Sequence, residues 1–358
     1  MRKATEKELD LKNKSGNGSR YIFLSIGIII LLLGSILVAT LLGSADLSVN
    51  TVFDVLKSKI FGVESSDLST SDVYIIWNLR LPRALLAIAA GGGLAICGAA
   101  MQAITQNVLA DPYILGVSSG ASAMVSIAFF LGGTFSSTSG IIQLFAFGGA
   151  ILSMVFVYSV GATKSGSSGT RLVLAGMAIS IVLNAVSQFF ITLSSDKVTR
   201  SVTMWMMGSL ADARWGNVAL PLLASLIGLA VFMANARNYD LISLGDETAI
   251  SMGVNVARLK KLTMLMVAFV TGVIVSCCGI IGLVGFVIPH IVRLLFGSKH
   301  RRLLPITFLM GCTFLVWMDM VARLVMAPQE LPIGIFTAIC GGPFFIWLLR
   351  RQNHSIKE

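Results

Sequence analysis

"QNVLADPYILGVSSGAS", residues 106–122, lies between two long apolar runs and holds a single charge, Asp111. A connector this rich in Asn, Gln, Pro, Gly and Ser, yet almost uncharged, is neither a solvent loop nor an uninterrupted membrane helix. Its neighbours decide what it is. Residues 84–105 carry no charge, and none follows from Pro112 to Thr163. One crossing of the hydrocarbon takes about 20 apolar residues. The second run is too long for one helix and must turn back, at "LGGTFSSTSG", residues 131–140. The uncharged run Leu262 to Val292 must do the same at Gly279, Gly282 and Gly285.

Outward from these runs the whole chain reads alike. Of 358 residues, 55% are hydrophobic and 12% charged, and the mean hydropathy is +0.85, which excludes a soluble globular domain. The pattern predicts an all-α, polytopic membrane protein of about ten transmembrane helices, near 21–43, 84–105, 114–131, 141–160, 172–193, 218–236, 262–280, 282–296, 304–325 and 333–349. With both termini cytoplasmic, nineteen of the 27 Lys and Arg fall on the inner side, as the positive-inside rule requires. That orientation accounts for the net charge of +10 without a nucleic-acid partner. The chain divides into an N-terminal tail (1–20), a permease domain (21–349) and a C-terminal tail (350–358). The tail before Tyr21 is long and acidic for a signal peptide, so the first run is expected to stay attached as an anchor. All five cysteines lie in apolar segments without metal or redox spacing and read as small buried hydrophobes. Small residues crowd the spans, as in "AAGGGLAICGAA", where they allow helix backbones to approach closely. No Walker-type phosphate loop or dinucleotide fingerprint is present, so the chain is not expected to hydrolyse ATP by itself.

Three stretches carry chemistry. In "NLRLPRALLA", residues 78–87, Arg80 and Arg83 stand at the outer mouth of a span against the charge bias, and Arg323 lies near the outer end of the ninth. Outward arginines suit an acidic partner; equally, Arg80 and Arg83 can snorkel to headgroups while Arg323 pairs with Asp319 one turn earlier. "LISLGDETAISMGVNVARLKK", residues 241–261, reads as a short helix capped by Asp246, ended at Gly253 and followed by a basic turn, at the inner membrane surface. In "GLVGFVIPHIVRLLFGSKHRRLLP", residues 282–305, His290 has no carboxylate at a ligand spacing and is a poor metal candidate, while Pro289 bends a helix.

These blocks, with "RLVLAGMAIS" and "ARLVMAPQELPIGIFTAICGGPFFIWLL", resemble in order and spacing the FecCD-type membrane permease of type II ABC importers for iron chelates, haem and vitamin B12. The likeness runs from Tyr21 to Leu349. It implies two permease copies around a central path, two ABC ATPase subunits below and a substrate-binding protein above. It implies that Arg80, Arg83 and Arg323 receive acidic side chains of the binding protein. It implies that Leu244, Gly245, Asp246, Glu247, Ala249, Met252 and Gly253 sit in a groove of the ATPase and couple its closure to transport. No cofactor is implied in this chain, ATP and magnesium being bound by the ATPase. The 106–122 connector then resembles the turn that forms the inner gate, with Asn107 and Leu109 lining it. A gate beside a water-filled path needs polar backbone and little charge. Val108 stands where the family usually has proline, which frees the turn's φ. The resemblance leaves the cargo among ferric siderophore, haem and cobalamin, with siderophore the first expectation. An ion-coupled secondary transporter, the remote alternative, needs ionisable groups in mid-membrane, and the sequence offers Asp319 alone, near a span end.

Overall fold

A computed structural model describes residues 2–43, 47–63, 68–113, 115–132, 140–161 and 169–354. The expected fold-back at 131–140, the inner loop at 161–171 and the end of the C-terminal tail lie largely or wholly outside these residues. The described chain is helical: α1 (Arg2–Leu41), α2 (Val49–Phe61), α3 (Thr70–Val73), a π-helical turn (Tyr74–Arg80), α4 (Leu81–Thr105), α5 (Val117–Gly132), α6 (Gly140–Gly161), α7 (Gly169–Thr192), α8 (Asp196–Met206), α9 (Trp215–Ala234), α10 (Ala236–Ile242), α11 (Asp246–Ser251), α12 (Val256–Cys278), α13 (Val284–Phe296), α14 (His300–Leu324) and α15 (Ile333–His354). Among the described residues, seven helical stretches are long and apolar enough to cross a membrane. Shorter apolar helices are α5, α13 and the Ile333–Trp347 part of α15. Each of the ten segments anticipated from hydropathy falls on one of these helices.

The bundle is built around α4. In the most apolar window of the Thr70–Thr105 stretch 94% of residues are buried, against 17% in α1. A helix apolar on every side belongs in the middle of a bundle, whereas the Phe23–Leu41 stretch of α1 buries few of its side chains, as a lipid-facing helix does. The glycines of α4 make the central place feasible. A Cβ on Gly91 would strike the Gly311 carbonyl of α14, and one on Gly98 the Gly285 carbonyl of α13. A Cβ on Gly93 would meet Ser225 of α9, whose Oγ instead donates to the Ala89 carbonyl at 2.8 Å. Close backbone approach replaces the hydrophobic drive that lipid cannot supply.

Two departures from the sequence reading matter for the site. The 44–80 connector is largely helical where it is described: Ser48 caps α2 by accepting from Thr51 N–H at 3.1 Å, and Val52, Val55 and Ile76 form a small core of their own. Helix continues unbroken from Thr70 into α4, so Pro82, in the first turn of α4, lies inside a continuous helix, where its missing N–H removes one backbone bond. Just ahead of it the Leu81 N–H reaches back five residues to the Ile76 carbonyl, a wide turn of the kind found at functional sites. The second departure is Cys340, which is exposed rather than buried, although Cys97, Cys278 and Cys312 are buried as anticipated.

Candidate functional site along the central helix

At one end of α4 three arginines converge, each held by this chain's own oxygens. Arg80 is buried, and its Nη1 donates to the Thr40 and Leu41 carbonyls at 2.9 and 2.7 Å. These carbonyls belong to the open C-terminus of α1, where a cation is favoured. A Cβ on Gly43 would collide with the Arg80 guanidinium, which would have to shift off these carbonyls to make room. Arg323 is buried as well; its Nη2 donates to the Ala39 carbonyl at 3.1 Å, and its Nε lies 3.2 Å from Asp319 Oδ2, one helical turn away. Arg83 spans two acids. Its Nε donates to Asp319 Oδ1 at 2.9 Å, and its Nη1 donates to Glu330 Oε1 and Oε2 at 3.0 and 2.8 Å. Asp319 is buried, whereas the Glu330 side chain is 43% exposed. All three arginines and Glu330 line an open cavity of about 380 Å³. The three residues named for docking are thus brought together, with Arg80 and Arg323 buried and bonded to carbonyls of α1. Glu330, at the rim, was not singled out in the sequence.

At the other end, α4 stops where Gln106 adopts a left-handed conformation, φ 52°. The 107–113 turn follows. Asn107 Oδ1 accepts the Leu109 N–H at 2.9 Å, and the Ala110 N–H donates to the Asn107 carbonyl at 3.1 Å, an Asx turn that shapes the connector without the proline. Asn107 and Leu109 line a cavity of about 610 Å³, whose other walls include Met177 of α7, Leu283, Phe286 of α13 and Phe345 of α15. Asp111 lines it too and is buried. Its Oδ1 accepts the Tyr113 N–H at 2.8 Å, and its Oδ2 has no hydrogen-bond partner among the described residues. Burial pushes this carboxyl up to about 6, with the Tyr113 N–H offsetting part of the rise. Asp111 and Asp319 are thus both buried acids, one in the connector and one near a span end.

The 241–261 segment comprises the end of α10, α11 and the start of α12; its basic turn opens the long α12. The cap anticipated at Asp246 is not formed. Gly245, with φ 117°, precedes the helix without a side-chain cap bond, and the Asp246 carboxylate bonds other elements. Gln106 Nε2 donates to Asp246 Oδ1 and to the Ile242 carbonyl, both at 2.9 Å, and the buried Lys260 ammonium donates to Asp246 Oδ2 at 2.5 Å. Gly253 ends the segment with φ 85°. Leu244, Ile250 and Met252 are exposed, and so is Glu247. Ala249 is buried and holds the helix to the bundle rather than facing outward. Among the described residues no group of three His, Cys, Asp or Glu is placed to hold a metal, and the His290 ring packs against Phe344 at 5.9 Å.

Comparison with known proteins bears on this arrangement. The model of the FecCD transport family matches residues 30–351. The iron(3+)-hydroxamate import system permease protein FhuB of Bacillus subtilis (strain 168) is 37% identical over 337 residues, covering 94% of this chain and 84% of that protein. The hemin transport system permease protein HmuU of Yersinia pestis is 35% identical over 340 residues, covering 93% and 96%. A solved inward-facing structure of a metal-chelate type ABC transporter superposes with a TM-score of 0.79 at 29% identity, over 92% of this chain and 99% of the other.

Proposed function

Because the chain belongs to the FecCD transport family and is a multi-pass permease subunit of an ABC importer, we propose that it carries a ferric siderophore across the cytoplasmic membrane. Two copies, identical or paralogous, enclose the path, with ten spans each and both termini in the cytoplasm. ATP hydrolysis and its magnesium belong to two separate ATPase subunits, and an extracytoplasmic binding protein delivers the cargo.

The observation that carries the mechanism is the order of features along α4. The arginine mouth stands at its N-terminal end, the Asn107–Leu109 turn at its C-terminal end, and Gln106 joins that turn to Asp246 of the coupling segment. Docking of an acidic lobe engages Arg83 at the mouth, while Arg80 and Arg323 keep the mouth in shape. The exposed Leu244, Ile250 and Met252 of the coupling segment fit a groove of the ATPase, and its closure pulls on Asp246. The 107–113 turn then opens or shuts the inner end of the path. Mostly apolar walls around the cavity at Leu109, Met177, Leu283 and Phe345 suit a bulky chelate passed along without tight binding. Coupling to a proton gradient through Asp319 is disfavoured by its engagement with both Arg83 and Arg323.

Haem is the second reading, favoured by the relative named for hemin transport; cobalamin is the third, favoured by relatives named for cobalamin and vitamin B12 import. The deciding experiment is purification of the tagged chain in mild detergent with mass spectrometry of its partners and iron and cobalt assays of the captured binding protein. An ATPase together with a non-haem ferric chelate supports the proposal. A haem spectrum or cobalt replaces the cargo, and recovery of the folded chain with no ATPase overturns the importer assembly.

A further inference from the structure

A second charged site lies away from the transport path. Between the end of α9, α10 and the start of α14 is a cavity of about 630 Å³, lined by Arg237, Lys299, Arg301 and Arg302 together with Met233 and Asp240. Four cations therefore face one carboxylate, and that carboxylate is already engaged. Asp240 Oδ1 accepts the His300 backbone N–H at 2.8 Å and pairs with His300 Nδ1 at 2.7 Å. The cations also stand at the wrong end of a helix. The first turn of the 25-residue α14 contains no acid, although the positive pole of a helix favours anions and disfavours Lys and Arg. Like charges gathered on a positive pole raise the energy of the free protein, and a bound anion relieves it.

Two further observations say what kind of anion. Arg302 lies over the ring of Tyr21, 5.4 Å from its centroid. Tyr21 sits just before the apolar stretch Phe23–Leu41 of α1, the level at which aromatic rings mark the boundary between hydrocarbon and headgroups. Further along the same helices, α1 and α9 turn apolar side chains outward, Phe23, Ile26 and Ile30 on one, Leu223 and Ile227 on the other. An anion held at this depth has acyl chains available alongside it. Orientation bias alone calls for basic residues on this side but not for a cavity that gathers four of them between helices; basic pockets between spans are suited to phosphate headgroups.

We infer that the cavity at Arg237, Lys299, Arg301 and Arg302 binds the phosphate of an anionic phospholipid. Arg301, Arg237 and Lys299 reach the phosphate from the exposed side, and Arg302, fixed on Tyr21, closes the site from the side of α1.

The test is native mass spectrometry of the delipidated chain titrated with phosphatidylglycerol, phosphatidylcholine or inorganic phosphate. The expected result is one phosphatidylglycerol bound per chain, at least tenfold more tightly than phosphatidylcholine. It should weaken at least tenfold in Arg237→Gln/Arg301→Gln, two exposed positions, and not in the control Lys57→Gln/Lys59→Gln, which removes the same charge on α2. Equal retention of both lipids, or equal loss in the control pair, overturns the site. Protection by millimolar inorganic phosphate as complete as by the lipid shows a solution-phosphate site and overturns the lipid assignment. Loss of ATPase co-purification in the Arg237/Arg301 variant with phosphatidylglycerol binding unchanged makes this face a protein contact and equally overturns it.

Discussion

Asp246 and Gln106 are 140 residues apart in the chain, yet a 2.9 Å hydrogen bond joins their side chains. One opens the short helix assigned to the ATPase, and the other ends the central helix immediately before the turn assigned to the inner gate. Removing this bond should separate the two events. Gln106→Ala leaves the ATPase complex assembled and hydrolysing, while transport per ATP in proteoliposomes falls several-fold. An unchanged ratio removes Gln106 from the coupling route.

Asp246 also answers the buried ammonium of Lys260. A buried charge stripped of its partner costs on the order of 3 kcal/mol, less where the partner is partly in water, as here. Asp246→Ala should lower the thermal midpoint by several degrees, and adding Lys260→Met should recover most of that loss. If the double variant melts no higher than the single one, the pair does not hold α11 to α12.

Glu330 occupies the outer edge of Arg83, where an incoming carboxylate would have to bind. The arriving partner competes with an acid of the same chain. Glu330→Gln is therefore expected to tighten binding-protein docking about fivefold at low ionic strength, roughly 1 kcal/mol, with the gain shrinking as salt rises. Titration calorimetry with the purified binding protein reads this directly. Weaker docking would make Glu330 part of the receiving surface instead. Charge reversal at Arg80 is the poorer probe, because Arg80→Glu would place a carboxylate against the Thr40 and Leu41 carbonyls and damage the fold first.

Gly253 has φ 85°, and apart from its chain neighbours no heavy atom lies within 4 Å of where a Cβ would stand, so a substitution there is resisted by backbone strain and not by crowding. Residues that tolerate the left-handed region should be accepted. Gly253→Asn is expected to retain transport, whereas Gly253→Val, at a cost of about 1–2 kcal/mol in local conformation, should reduce it with ATP hydrolysis maintained. Equal transport by both variants would detach the turn from coupling.

Asp111 carries a pH signature. Its carboxyl, raised to about 6 in the fold from an ordinary 3.8, holds its proton where the unfolded chain has lost it. The native state binds more protons between about pH 4 and 6, so this group's contribution to stability is full below 4, falls through that window and stays low above it. The fall amounts to roughly 3 kcal/mol. Asp111→Asn should flatten the thermal midpoint between pH 4 and 6 and raise it at pH 8 relative to the parent. A parallel shift at every pH would mean that the carboxyl does not titrate in the fold.

The helices were legible because lipid imposes a simple rule, some twenty apolar residues per crossing, and each anticipated segment falls on a helix. The Asp319–Arg323 pair was legible for the same local reason, four residues on one helix. What the sequence concealed depends on contacts distant along the chain. The burial of Arg80 requires carbonyls of residues 40 and 41, and Gln106 looks like any loop amide until Asp246 comes beside it. Helices α2 and α8 escaped notice because they are short and half polar, with no run long enough to register against the spans around them. Ala249 counted as an outward residue of a motif, and only packing shows that it faces inward.

The central helix has 25 residues, about 37 Å of rod at 1.5 Å per residue. Pro82 and the π-helical turn lie at its N-terminal end, so a bend in the longer helix falls there and not within the 25 residues beyond. Its middle is packed against neighbouring helices at Gly91, Gly92, Gly93 and Gly98, and in the proposed mechanism such a rod tilts as one piece. Movement of a few degrees at the arginine mouth then appears at Gln106 as an ångström-scale displacement of opposite sense. In the proposed mechanism the two ends of the path therefore move together, because one rod carries both the arginine mouth and the 107–113 turn.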